Sequence, residues 1–597
     1  MREAHFVNAT VGHYYPSSVI FFDSETEWEK FSNTRQIHRI KLAVLSHWRY
    51  FKNKGWREQK ELVSSDKNAI ADFMNKSVRK RSTTYLFAHN IQFDLLVCGL
   101  FESLSALGWT LESFYFKGMV SIFEWRNDTR KIVALDSANY FQGKLADIGE
   151  TMGLPKMLID FTTCSQEYLI EYCRNDVTIL VKMFMSWLAF LKEHDLGSFK
   201  RTLASTSFNI WRFKFLGHKV YIHDNKEVLE LEAKSYHGGR VEMFRRGVYR
   251  DGPYYRLDVN AMYPSIMYDE KFPVSLYGFK YNFHAEKLAD KLEKYAVIAD
   301  VTFETSEPAF PVETPNALIY PTGVHRATLS TPELRLLMDC GQIHKIHFAS
   351  WYQHLPIFTT FMDFLYGLRM TYRVEGNKPY EKMAKVLANS SYGKWGQRTL
   401  STVYLDKQAG LQAHVEHRYD LDAHYHYKVV HIAGRAYEIR PGGFSYHAFP
   451  AIASHVTAYG RIRIYRLIRL AGRENVYHID TDGLIVNSLG YERLKQLIDP
   501  EKLGFLKIEE VCEWIEVKAP KHYLTPTVLK TKGIRSNALE LCFDMYQQDH
   551  FASLNTMLMR GDISAVHVDK IIKVLQFPIR SGQLQSDGSI LPFDYLE

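Results

Sequence analysis

The chain has 597 residues, 46% hydrophobic and 24% charged, with a formal charge of +7. That length suits several domains of roughly 100–200 residues each, and the composition is that of a globular rather than a disordered chain. No apolar run approaches the ~20 residues of a membrane span, and the first residues lack a secretory layout; six cysteines without a C-x-x-C pair exclude a disulfide framework and a cysteine zinc site.

A cytosolic protein with no membrane attachment is expected, and its mild positive charge suits a polyanionic partner without specifying one. The first third alternates strands ("SVIFFDSETE", "TYLFAHN", "KIVALDS") with helical stretches such as "EYLIEYCRNDVTILVKMFMSWLAFLKEH", an α/β pattern. In "FFDSETE" the period of two puts Asp23 and Glu25 on one strand face. "FAHNIQFDLL" adds Asp94, and "EYCRNDVTIL" adds Tyr172 and Asp176 at i and i+4 of a helix. Singly, each fragment reads as ordinary surface. Cys98, Cys164 and Cys173 sit in apolar or helical contexts and read as core thiols. The double glycine of "SYHGGRVEMFRRG" marks a tight turn and a domain junction.

Strands follow at "YYRLDVNAMY" and "YAVIADVTFE", then two helical segments around 357–395. After them come a polar Tyr/His-rich stretch at 400–447, a helix at 450–471 and the strand "YHIDTDGLIV". A strand through Asp480 and Asp482 would point both carboxylates to one face and Thr481 to the other. Burying unpaired ionised carboxylates costs several kcal/mol. The pair therefore calls for a cation such as magnesium, which takes a few carboxylates plus waters and phosphates. Asp258, ending an apolar strand in "LDVNAMYPSI", is a candidate third ligand. Taken alone, the same residues read as a helix cap and a surface hairpin. In "YEKMAKVLANSSYGKWG", Asn377 and Pro379 start a helix that carries Lys385, Asn389 and Tyr392 on one face. Arg369 and Arg373 recur at i and i+4 on the preceding helix. The stripe suits a triphosphate, sugar and base, or else a solvated basic face with a core tyrosine.

In order and spacing, "DVNAMYPSI", "KVLANSSYG", "DTDG" and "KHY" resemble the polymerase motifs of family B DNA polymerases, and "SYHGG" resembles their Y-x-G-G element. "DSE", "NIQFD" and "YCRND" resemble the D-x-E, N-x-x-x-D and Y-x-x-x-D motifs of proofreading 3′–5′ exonucleases. The resemblance implies an α/β and α+β multidomain chain: an RNase H-like 3′–5′ exonuclease domain followed by a right-hand palm, fingers and thumb. It implies that Asp258 and Asp482 hold two magnesium ions (manganese a substitute) with Asp480 auxiliary. Tyr263 would pack under the sugar, Arg373 and Lys385 hold the triphosphate, and Asn389 and Tyr392 line the base pair. Lys521 and Tyr523 would steady the primer end, and Tyr236, Gly238 and Gly239 would touch DNA. In the exonuclease, Asp23, Glu25, Asp94 and Asp176 would bind metal and Tyr172 orient water, with Lys156 in support. Thr26, Asn90 and Phe93 would contact the frayed 3′ end. Nucleotidyl transfer asks the protein mainly for positioning and charge neutralisation, which these residue types supply.

The expected domains are an exonuclease at 1–195, a linker at 196–240 and palm at 241–273 and 448–529. Fingers are expected at 357–398 and a thumb at 530–597. The length resembles compact protein-primed phage, viral and linear-plasmid replicases, which carry two palm insertions. About 90 residues separate Asn389 from Asp480; 399–447 would be the insertion that closes a β-hairpin around template and aids strand displacement. Residues 274–356 would be the insertion that docks a terminal protein. The expected partners are template and primer DNA, dNTPs and a terminal protein, with the chain monomeric. A nucleic-acid-primed repair polymerase is the rival within the class, and a catalytically inactive DNA clamp the rival outside it. The chain departs from the family at Gly483 (usually Ser) and at Ala261 and Met262 (usually Ser-Leu), and none of these removes a metal ligand. Ala138 follows Ser137 where leucine is common, which weakens a single-strand-binding role for that segment.

Overall fold

Alternation decides the first half. In the strand Ser18–Lys30, Val19 and Phe21 face one core while Ile20 and Phe22 face another. Arg35–Phe51 does the same with Leu42 and Val44 against Ala43 and Leu45. A sheet buried on both faces must be covered by helices on both. The 28-residue helix Gln166–Glu193 covers one side; Lys67–Ser77, Ile91–Val97 and Leu100–Ala106 cover the other. Ser18–Lys30, Thr83–Ala88 and Arg130–Asp136 run parallel at the centre, and antiparallel strands flank them.

The computed structural model describes residues 2–161, 163–405, 412–535 and 537–595, so small parts of the expected exonuclease, second insertion and thumb lie outside the described residues. The second half is built on a five-stranded antiparallel sheet in the order Val241–Met243, Val476–Asp480, Gly483–Asn487, Tyr254–Val259, Leu506–Cys512. The helices Met262–Asp269 and Pro450–Ala471 pack on the face carrying Leu257, Val259, Ile479, Leu484 and Val486. That core is continuous with the Gln166–Glu193 side of the first sheet, so the two halves share one apolar interior. Helices Thr359–Val374 and Lys378–Asn389 form an antiparallel pair beside it, the second started by Asn377, whose side chain accepts from the Tyr380 N–H. Residues 196–240, expected as a linker, contain the buried helices Leu203–Ile210 and Lys226–Ser235.

Two further sheets are inserted. Phe272–Phe283, Gly341–Leu355, Ala296–Thr305 and Thr322–Ser330 form one, completed by Asp594–Tyr595. The stretch expected as one β-hairpin is a four-stranded antiparallel sheet, Arg398–Leu405, Arg435–Phe444, Tyr425–Ile432, His414–Asp420. It docks on the first-half sheet, where the Tyr437 hydroxyl donates to the Leu111 carbonyl and Arg435 donates to Thr110 Oγ1 at 3.1 Å. The last strands close back on the beginning: Val566–Val574 pairs antiparallel with Arg35–His38, and Met545–Phe551 and Leu539–Cys542 extend that edge. Among the described residues no helix is long and apolar enough to cross a membrane.

Candidate active sites

Asp23 and Glu25 leave the same face of their strand, and Asp176 reaches them from the long helix; one oxygen from each lies within 4.8 Å of the others. Asp94 adjoins this group from the helix Ile91–Val97 without entering that cluster. Its Oδ1 accepts from Ser24 Oγ at 2.6 Å, and its buried Oδ2 and Asp176 Oδ1 have no hydrogen-bond partner among the described residues. Burial pushes Asp23 well above the usual carboxylate range, and Asp94, Asp176 and Glu25 push it further. Glu25 is raised to about 7, chiefly by burial, with Lys156 opposing. Lys156 Nζ donates to Asp176 Oδ2 and lies 4.6 Å from the Tyr172 ring centre. Three converging carboxylates with orphaned buried oxygens fit a divalent cation, since one lysine cannot neutralise them.

At the rim, Asn90 adopts φ 64° at the start of its helix, where Asp136 accepts from the N–H groups of Asn90 (3.3 Å) and Ile91 (2.9 Å). Thr26 Oγ1 lies 2.9 Å from His38 Nδ1. Phe93 meets Phe551 of the C-terminal strands edge-on at 6.1 Å, a neighbour the first-half motifs gave no sign of.

The second site corrects one reading. Asp480 and Asp482 do not share a strand: Thr481 has φ 67°, and the chain reverses there into Gly483–Asn487. The turn brings Asp482 beside Asp258, whose strand pairs Asp258 with Gly483; the Val259 N–H donates to the Asp482 carbonyl at 2.8 Å. Burial and then Asp258 raise the Asp482 carboxyl to about 6. Asp480 is held elsewhere, by Lys521 Nζ at 3.1 Å and Lys530 Nζ at 2.9 Å. Those lysines keep it below the usual range against its burial. Asp258 Oδ2 faces Lys507 Nζ at 3.2 Å. A serine at 483 would meet only ordinary contacts, the nearest atom being Leu257 O at 3.5 Å from a built Cβ.

Tyr392 is the second correction. The helix ends at Asn389, so Tyr392 lies in the turn beyond rather than on the helical stripe. It still reaches the site, with its ring centre 4.8 Å from that of Tyr263. Lys385 and Asn389 are exposed on the helix overall, yet partial desolvation of the Lys385 ammonium, then Arg369 and Lys507, lower it while Asp258 opposes them. Arg373 is engaged by Glu381 at 3.0 Å, and it is the buried Arg369 whose charge bears most on Lys385. Gly239 allows close approach: a Cβ there would sit 2.6 Å from Thr481 Cγ2 and 2.9 Å from the Tyr263 hydroxyl. A Cβ at Gly396 would strike the Tyr236 ring at 2.4 Å. Gly238 faces open space, and its carbonyl accepts from Arg461 Nη1 at 2.9 Å. Lys521, at φ 64°, donates its N–H to His478 Nε2 at 3.0 Å, and Tyr523 is buried against that histidine. Lys507, Lys530 and the buried Arg461–Glu333 pair escaped the sequence reading because no local pattern sets them apart.

A family model described as DNA polymerase type B, organellar and viral, matches residues 163–467. The chain is 26% identical over 259 residues to a DNA polymerase of Kluyveromyces lactis, covering 40% of this chain and 25% of that one. It is 25% identical over 373 residues to the DNA-directed DNA polymerase of Enterobacteria phage PRD1, covering 60% and 59%. These matches thus span a quarter and about three-fifths of the relatives' own lengths. The fold is similar to Phi29 DNA polymerase in its ternary complex with primer-template DNA and nucleotides (TM-score 0.66, 15% identity, 94% of this chain and 100% of that). The complex of that enzyme with single-stranded DNA gives TM-score 0.64 at 14% identity, over 94% and 92%. The fold is therefore an exonuclease domain followed by a right-hand palm, fingers and thumb. With its model matching half of the sequence, the chain belongs to the organellar and viral type B DNA polymerases.

Proposed function

We propose that this protein is a replicative DNA-dependent DNA polymerase with a 3′–5′ proofreading exonuclease, primed by a terminal protein and able to displace a strand. The observation that carries the reading is the juxtaposition of Asp258 and Asp482 at a strand-turn crossing, apart from the Asp23, Glu25 and Asp176 cluster. Asp258 and Asp482 would hold magnesium at the polymerase site; Asp23, Glu25, Asp94 and Asp176 would hold it at the exonuclease site. Bound there, paired metal ions supply activation of the attacking oxygen and neutralisation of the leaving one.

The chain's own residues do the rest. Lys385 and Arg369, with Arg373 behind Glu381, place positive charge where a triphosphate would lie. The tilted Tyr263 and Tyr392 rings form an apolar wall for sugar and base, and Gly239 keeps the Tyr263 hydroxyl in place. Lys521 and Lys530 anchor Asp480 and leave Asp482 to the metal. At the other site Tyr172, beside Lys156, would orient a water, and Thr26, Asn90 and Phe93 would contact an unpaired 3′ end. The inserted sheet of residues 272–355 exposes Tyr277, Phe279 and Tyr281 along one strand, a face suited to a docked protein. The four-stranded sheet beside the exonuclease would grip template.

Primer extension separates the sites. Asp482→Asn should abolish synthesis and spare 3′ degradation, and Asp23→Ala should do the reverse. Asp480→Asn should cost at least about tenfold less than Asp482→Asn, a gap of ~1.4 kcal/mol in barrier. Loss of both activities in each folded variant would reject the two-site scheme. Incubation with a candidate terminal protein and labelled dNTP tests priming: a labelled protein adduct is expected, and robust DNA-primer extension without one would favour nucleic-acid priming.

A further inference from the structure

Away from both carboxylate sites, His414, Glu416 and His431 converge on the four-stranded inserted sheet. His414 and His431 are directly opposed across the hairpin, and Glu416, two residues on, shares their face. The two imidazoles stack with ring centres 4.0 Å apart and planes 7° from parallel. Glu416 Oε1 lies 3.4 Å from His414 Nε2 and 2.9 Å from His431 Nε2. We propose that these three side chains form a binding site for a single transition-metal ion of the zinc class.

The hydrogen-bond inventory carries the argument. His414 Nδ1 lies 3.0 Å from the Gln412 carbonyl, which can only accept, so Nδ1 bears the proton. His414 then turns its Nε2 towards a carboxylate oxygen, a contact made favourable by a shared cation or by a proton on Nε2. A carbonyl behind a ring nitrogen is also how ligating histidines are oriented. The other carboxylate oxygen is already occupied: Arg418 donates to Glu416 Oε2 from Nη2 at 2.5 Å and from Nε at 3.0 Å. Oε1 is thereby left for the two imidazoles. His431 Nδ1 has no partner among the described residues, so no second bond dictates its tautomer.

Tetrahedral bonds of ~2.0–2.1 Å put neighbouring donors roughly 3.3–3.4 Å apart. The 3.4 Å from His414 Nε2 to Glu416 Oε1 matches that, while the 2.9 Å from His431 Nε2 must widen and the two stacked rings must swing out of parallel to aim both Nε2 lone pairs at one ion. Two imidazoles and one carboxylate suit zinc and its neighbours, not magnesium, which asks for oxygen. The ligands straddle two strands, so the ion would pin the hairpin at the end where the Gln412 amide donates to the Gly561 carbonyl at 3.3 Å.

The test uses the full chain without a polyhistidine tag, stripped with chelator and titrated with Co2+ in excess Mg2+, then with Zn2+. One Co2+ per chain with visible d–d absorption, displaced by Zn2+, is expected. Asp23→Ala and Asp482→Asn should keep that spectrum. His414→Gln, His431→Gln and Glu416→Gln should weaken Co2+ binding by at least about 100-fold, beyond the roughly 10–100-fold of an outer-shell loss. Circular dichroism checks that each variant is folded. His431→Cys should restore binding with a new sulfur-to-cobalt charge-transfer band, which a hydrogen-bonding role alone would not produce. Bands that persist in the histidine variants, or no Co2+ uptake by the wild type over Mg2+, overturn the proposal.

Discussion

Arg461 and Glu333 are both fully buried, 0% exposed at each side chain, and join the long helix Pro450–Ala471 to the helix Thr331–Cys340. Glu333 Oε1 accepts from Arg461 Nη2 at 2.7 Å and Nε at 3.0 Å, and Arg461 Nη1 donates to the His237 and Gly238 carbonyls at 2.9 Å each. Arg461→Met strands a buried carboxylate, at about 3–5 kcal/mol, and removes the donor from two carbonyls at about 1–3 kcal/mol each. Glu333→Gln removes the countercharge of the buried guanidinium but spares its carbonyl bonds and leaves an amide oxygen to accept, so it should cost about 3 kcal/mol, the low end for breaking a buried pair. The double variant leaves neither charge uncompensated. Its cost should fall short of the sum by at least about 2 kcal/mol, since residues in contact couple by roughly 0.5–3 kcal/mol. Native-state hydrogen exchange at Thr481, whose N–H donates to the Arg240 carbonyl at 2.8 Å, reads this opening locally. Costs that add to within about 0.5 kcal/mol would refute the reasoning. Because the loop held by Arg461 carries Gly239, Arg461→Met should also raise the KM for dNTP and leave 3′ degradation unchanged.

Gly239→Ala would drive a methyl against Thr481 and the Tyr263 hydroxyl. At about 1–3 kcal/mol of overpacking, single-nucleotide insertion should slow at least about tenfold, while equal insertion rates would remove Tyr263 from the proposed wall. His455 and His478 are buried and held neutral, each lowered to about 4 chiefly by burial. The unfolded chain takes up their protons first, near pH 6.5, so this stability is full above ~6.5 and is lost as pH falls towards 4. Each should cost about 2 kcal/mol at pH 5. Acid unfolding should therefore be shallower in His455→Gln, and an unchanged slope would count against the assignment.

The sequence carried much of this because alternation and helical spacing are local. Asp23 with Glu25, Tyr172 with Asp176 and the Asn377 cap lie where periodicity puts them. The errors arose at reversals. Thr481 takes a left-handed backbone that the apolar run "YHIDTDGLIV" does not announce, and Tyr392 lies three residues past a helix end. Lys507, Lys530 and Arg461 were illegible for another reason: a lysine or arginine in a strand or helix looks the same whether it meets solvent or a carboxylate from a distant segment. The return of the C-terminal strands to the first sheet was illegible because pairing between Arg35 and Asp569 leaves no trace in either segment.

That pairing has a consequence for biogenesis. At about 5–20 residues per second of synthesis, the stretch Arg35–His38 waits roughly 30–100 s for Val566–Val574 to leave the ribosome. Meanwhile the backbone donors and acceptors on its outer edge, away from Trp28–Lys30, stand bare, an open template for another nascent chain. Slow translation or crowded polysomes should therefore favour misassembly through this border, and a chaperone that shields it would raise the yield of folded protein.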